Sequence, residues 1–80
     1  MSRLIFNPKK NMKKLEKYGF INDKYNEYYI LNVSRFESGL DGIVIRYEGD
    51  VDNYMSCNSE SVLTFYKLIK ENLIIDDGEI

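Results

Sequence analysis

The sequence predicts an α+β domain: an antiparallel sheet of three to four strands with an N-terminal and a C-terminal helix packed on one face, in the order α-β-β-β-α. Three observations carry this reading. Ser59 to Ile75 has a helical period, Ile43 to Glu48 alternates as a strand does, and a lysine-rich stretch lies between Asn7-Pro8 and Gly19, residue types that start and stop helices. The 80 residues make one domain, with residues 1–8 and 76–80 expected to fray.

The C-terminal helix is the most strongly marked element. Val62, Phe65, Tyr66, Ile69 and Leu73 recur at helical spacing, and at about 100° per residue they form one apolar stripe roughly 100° wide. Glu60, Thr64, Lys67 and Glu71 lie opposite, Leu63 and Leu68 flank the stripe, and Asn58 or Ser59 supplies an N-cap. Near the N-terminus, Leu4-Ile5-Phe6 suits a short edge strand or a flap over the core. Asn7 as N-cap and Pro8 at the first helical position then open a helix that Gly19 closes. Met12 and Leu15, with Tyr18 at the edge, give it a thin apolar stripe. Lys9 and Lys10 oppose the positive end of its dipole, which argues for a start nearer Asn11.

Between the helices, Asn22-Asp23-Lys24 breaks the chain after Phe20-Ile21, and the β-formers of Tyr25 to Val33 predict a strand over 27–34. Ser38 to Gly42 reads as a turn. In the next strand Ile43, Ile45 and Tyr47 share one face, and Val44, Arg46 and Glu48 the other. Gly49-Asp50 opens another turn, and Tyr54 to Cys57 forms a last strand with Met55 and Cys57 inward. Short connections favour a meander, one face covered by the helices and the other open.

Composition excludes several function classes. With 44% apolar and 30% charged residues, one Pro and five Gly, the chain is neither disordered nor low-complexity. Cys57 is the single cysteine and there is no histidine, so an internal disulfide, a Cys/His zinc site and a Cys/His or Ser/His/Asp catalytic arrangement cannot form within the chain. Apolar runs of at most four residues are far short of a membrane span, and no secretion-signal core is visible, so a cytoplasmic protein is expected. At this size a single core is barely sufficient, which leaves room for a homodimer. The net charge of −2 is unevenly distributed: residues 1–18 carry +5 and residues 19–80 carry −7.

Three sets of residues are candidates for a site. Lys9, Lys10, Lys13, Lys14 and Lys17 can neutralise nucleic-acid phosphates, without the arginines that read bases; the competing reading is a solvated face balancing an acidic remainder. Among the seven tyrosines, Tyr25, Tyr28, Tyr29, Tyr47 and Tyr54 fall in or beside predicted strands. There they either anchor a protein interface or stack on bases, or pack across strands. Tyr28 and Tyr29 point to opposite sheet faces, so one must meet solvent or a partner. Glu48, Asp50 and Asp52 share a face if the strand runs straight through Gly49. Such a row suits a cation or imitates DNA phosphates, or it is a charged edge that discourages aggregation. A calcium loop is excluded, because Tyr54 and Met55 follow Asp50 where Asp or Asn and then Gly are needed. Cys57 reads as a small buried apolar residue, and no carboxylates are arranged across a pocket. No enzyme, metal or cofactor is expected.

Leu15-Glu16-Lys17-Tyr18-Gly19-Phe20 near the start, with Phe65-Tyr66-Lys67-Leu68-Ile69 and Leu73-Ile74 near the end, resembles small phage and prophage proteins of AT-rich, low-GC bacteria. In those an opening of this kind precedes Tyr-rich strands and a closing helix. The resemblance covers about residues 12–75, and it implies a phage origin while assigning no activity and no functional residue. The expected function is therefore a non-enzymatic accessory protein that binds another protein, such as a host factor, through exposed tyrosines (Tyr28, Tyr29, Tyr47, Tyr54) or the acidic row. Nucleic-acid binding by the basic helix and a homodimer of structural role are the alternatives, and no membrane partner is expected.

Overall fold

A computed structural model describes residues 3–32, 42–53 and 61–79. In chain order these form β1 (Leu4–Phe6), a 3₁₀ helix (Met12–Tyr18), β2 (Ile21–Asp23), β3 (Tyr28–Asn32), β4 (Gly42–Arg46), β5 (Val51–Asn53), α1 (Ser61–Lys70), β6 (Ile74–Asp76) and a terminal 3₁₀ turn (Asp77–Glu79). The expected α-β-β-β-α order is thus corrected. Among the described residues the chain is mainly β, with six strands in two antiparallel sheets, one α-helix, and no α-helix at the N-terminus. No described helix is long and apolar enough to cross a membrane.

The N-terminal segment is 3₁₀ for a reason its sequence contains. Met12, Leu15 and Tyr18 recur every third residue, a period that puts all three on one edge of a 3₁₀ helix and drifts around an α-helix. Leu15 is fully buried, and Met12 and Tyr18 pack partly against the core. No acidic side chain sits in the first turn to offset the lysines. The start falls at Asn11, whose side chain accepts from Lys13 N at 2.9 Å. Asn7 instead caps a single turn, its Oδ1 accepting from Lys9 N at 3.0 Å.

Both helices stop by one device. Gly19 (φ +94°) is left-handed after the 3₁₀ helix, with Gly19 N–H donating to Glu16 O and Phe20 N–H to Leu15 O. After α1, Asn72 (φ +62°) plays the same part, its N–H donating to Ile69 O while Leu73 N–H donates to Leu68 O at 2.9 Å. This is the Schellman pattern, in which the residue after the left-handed position packs back on the helix. Leu15 with Phe20, and Leu68 with Leu73, are accordingly all in the core. Each cap then launches a strand: Phe20 leads into β2, and Leu73 into β6. The helix expected to reach Ile75 therefore ends at Lys70.

The larger sheet has the order β2-β3-β4-β5 and the smaller pairs β1 with β6. β4 is central, with Ile43 and Ile45 fully buried against the core that also takes Tyr29, Leu31 and Leu68. The expected run to Glu48 stops at Arg46 because a tight turn follows: Gly49 N–H donates to Arg46 O at 2.8 Å, and Gly49 adopts φ +108°. β5 begins at Val51, opposite Ile45, earlier than the strand expected at Tyr54–Cys57, which lies outside the described residues together with the expected N-cap and most of the turn Ser38–Gly42. β1 joins the two sheets through a bridge between Ile5 and Asp50, and Phe6 N–H donates to Gly49 O at 2.8 Å. Within the segments near the chain ends, Leu4 is in register with Asp76 and Phe6 with Ile74.

The twin caps make a direct prediction. Gly19→Ala should lower stability by about 1–2 kcal/mol, the cost of a left-handed Cβ, as read from the urea midpoint, and Asn72→Ala by less, because Asn72 already carries a Cβ at φ +62° and loses only the local side-chain bonding that eases Asn into that region. At Gly19 the added Cβ also meets Leu31 Cδ1 at 3.4 Å. Asn72→Gly should leave stability unchanged or raise it.

Candidate interaction surfaces

The candidate residues do not assemble as one site. Tyr29 is buried, and its ring lies 5.8 Å from that of Tyr47, centroid to centroid. Burial, with lesser contributions from the charge of Glu16 and from Tyr47, pushes the Tyr29 hydroxyl above its ordinary pKa of 10.0. Tyr28 takes the opposite sheet face and is half-buried, in register between Asp23 and Arg46. Tyr47 stands in the turn after β4, 41% exposed, its hydroxyl bonded to Asn22 Oδ1. Tyr25 is 93% exposed at the β2–β3 turn. Tyr54 lies outside the described residues. The tyrosines are therefore not one displayed aromatic face.

The acidic row is broken by the turn at Gly49. Glu48 is exposed in that turn, Asp50 pairs with Arg3 at 3.1 Å, and Asp52 accepts from Arg46 Nη2 at 2.9 Å and Nε at 3.1 Å. Two of the three carboxylates are thus engaged by arginines, and Glu48 forms no ion pair with a described cation. In the β2–β3 turn Asp23 accepts from the side chain of Asn26 at 2.7 Å and from its backbone N–H at 3.0 Å. These bonds, the side-chain one first, hold the Asp23 carboxyl below its ordinary 3.8.

The lysines behave differently from the arginines. Lys9, Lys13, Lys14 and Lys17 are exposed and Lys10 is half-buried, and none of the five forms an ion pair with a described carboxylate. Lys10, Lys14 and Lys17 line a cleft of about 220 Å³ with Tyr18, Glu71 and Leu73. Lys10 also borders a second cleft of about 230 Å³, floored by Phe6, Pro8 and Met12 and closed by Tyr47, Glu48 and Gly49. A third, of about 250 Å³, shares Tyr47 and Glu48 and adds Asn26, Glu27 and Arg46. Three residues of the basic set, Lys10, Lys14 and Lys17, and two of the interface set, Tyr47 and Glu48, thus line neighbouring clefts that share Lys10, Tyr47 and Glu48.

The largest departure from expectation is on α1. Leu68 is fully buried and Phe65 packs partly against the core, whereas Val62 (41%), Leu63 (67%), Tyr66 (63%) and Ile69 (43%) are exposed. At about 100° per residue Leu68 lies about 60° from Phe65 on one side, while Ile69, Val62 and Tyr66 lie about 40°, 60° and 100° away on the other. The buried face is therefore rotated towards Leu68, and most of the stripe assigned to the core faces outward. The Leu68-to-Leu73 spacing around Asn72 is the signal that fixes this rotation, because a Schellman cap requires its two apolar partners to meet.

The chain matches no family model, no curated protein and no solved structure.

Two titrations follow from these surroundings. A tyrosine with a raised folded-state pKa contributes stability at all pH below its unfolded value, near 10. That contribution is lost as pH rises through the folded value, so Tyr29→Phe should flatten the alkaline fall of the urea midpoint. Asp23 has the opposite sign, its contribution being present above pH 3.8 and lost as pH falls through the lower folded value. Asp23→Asn should remove part of the acid loss.

Proposed function

We propose that this chain is a non-enzymatic protein-binding module that presents the outer face of α1 to an apolar groove on a partner protein. The observation that carries this is the stripe Val62, Tyr66 and Ile69, exposed at i, i+4 and i+7 with Leu63 beside it. This is the spacing by which an amphipathic helix fills a groove on another protein. Single exposed apolar residues need no explanation, but contiguous apolar surface on one element does. Lys67 and Lys70 are exposed on the same helix, so the matching groove carries acidic residues at its rim. Tyr66 is the anchor, since a large ring with a polar tip is the type that dominates binding at the centre of an interface. The resemblance to small phage and prophage proteins adds that the partner is a host protein and the chain a phage-encoded modulator of it.

The test is affinity capture from host lysate after nuclease treatment, comparing the natural chain with Tyr66→Ala and Ile69→Ser. A protein retained by the natural chain should be lost from both variants, with at least about a 30-fold fall in affinity for Tyr66→Ala, as for a central anchor. Circular dichroism should be unchanged, because neither side chain is in the core. Equal capture by the variants contradicts the proposal. A dimer that dissociates on dilution and disappears in Tyr66→Ala would replace the partner protein with a second copy.

A further inference from the structure

The three connected clefts lie apart from the α1 stripe and form a path of graded character. At one end Lys10, Lys14 and Lys17 line a cleft in which Glu71 is the one opposing charge among the described residues. The middle is apolar, floored by Phe6, Pro8 and Met12 and walled by Tyr47. Tyr47 is held in place by its ring contact to Tyr29 and its bond to Asn22. At the far end stand Glu48 and Glu27, and the one cation among the described lining residues, Arg46, is engaged by Asp52. The clefts share lining residues, Lys10 between the first two and Tyr47 with Glu48 between the last two.

We propose that this path seats an extended peptide segment that is acidic where it meets the lysines, apolar over Phe6, Pro8 and Met12, and basic where it reaches Glu48 and Glu27. Charge complementarity at both ends fixes its direction, and the apolar centre supplies desolvated contact. A nucleic-acid strand is a poorer fit. Its phosphates recur along the whole backbone, so a strand that satisfied the lysines would carry further negative charge past Glu48 and Glu27, whereas a peptide can confine its acids to one end. A segment of about eight residues extends at most about 26–29 Å, enough to cross a molecule whose shorter extents are 28 and 24 Å.

The experiment uses fluorescent peptides of about that length, with an acidic block, a central Leu-Tyr and a terminal lysine, made in both chain directions, beside a scrambled peptide of identical composition and a single-stranded oligonucleotide. Anisotropy against the full chain should show one block-ordered peptide binding at least about tenfold tighter than the scrambled one. The Lys14→Glu, Lys17→Glu double variant should lose about tenfold of that affinity, and both side chains are exposed, so circular dichroism should be unchanged. Tyr66→Ala should bind the peptide as the natural chain does, which separates this surface from the α1 stripe. Equal binding of the scrambled peptide, an unaffected lysine variant, or tighter binding of the oligonucleotide would overturn the proposal.

Discussion

The pairing of β1 with β6 is the constraint on which the rest of the molecule depends. It brings together residues some 70 positions apart, Leu4 with Asp76 and Phe6 with Ile74, and backbone bonds extend it: Asn7 N–H to Leu73 O at 2.7 Å and Asp77 N–H to Arg3 O at 2.8 Å. Loop-closure entropy grows only logarithmically with length, so the closure needs a modest and well-placed stabilisation. Phe6, Leu73 and Ile74 provide it, each almost wholly buried and each contributing roughly 1.5–3 kcal/mol. The ion pairs of Arg3 with Asp50 and Asp77 join exposed side chains, and pairs of that kind are worth at most about 1 kcal/mol. Apolar burial, not charge, holds the ends.

That closure also places the surfaces. Because Phe6 N–H reaches Gly49 O, the chain emerging from β1 lies against the turn after β4, and Pro8, Lys10 and Met12 come beside Tyr47 and Glu48. A second turn meets the first from the other side, through Tyr47 N–H donating to Glu27 O at 2.9 Å. The graded path is thus a product of two backbone contacts between segments distant in sequence. The apolar face of α1 has a different origin. Leu68 and Leu73 must meet across the Asn72 cap, and with that edge of a ten-residue helix turned inward, Val62, Tyr66 and Ile69 turn out.

Much of the strand pattern was legible before the structure. The strand at Ile43 to Arg46, the opposition of Tyr28 and Tyr29 and the stop at Gly19 are local signals, and the structure agrees with them; the expected contrast between one covered and one open face fails at Val44, which is only 5% exposed. The errors have physical reasons. An i, i+3, i+6 stripe was taken for a thin α-helical face although it is the natural period of a 3₁₀ helix. Asn72 ends the helix in the left-handed region without the commoner glycine, and the apolar period continues through Leu73, so the sequence reads as helical through residues that form β6. Strands of three residues, such as β2 and β5, are too short to show a period, and only their partners reveal them. The residues on which the resemblance to phage proteins rests, Leu15 to Phe20, Phe65 to Ile69 and Leu73-Ile74, include the apolar partners of both caps. The candidate surfaces were the least legible part, since the path joins Lys10 to Tyr47 by tertiary contact alone.

The most direct test of this account is native-state amide exchange at Phe6 and Asn7, whose N–H groups donate to Gly49 O and Leu73 O. If the closure of the chain ends holds the fold together, both amides exchange only on global unfolding, with protection equal to that of Ile43 and Ile45 at the centre of the larger sheet. Exchange near the unprotected rate at Phe6 and Asn7, with Ile43 and Ile45 still protected, would show that β1 opens independently and would contradict the claim that its pairing with β6 organises the molecule.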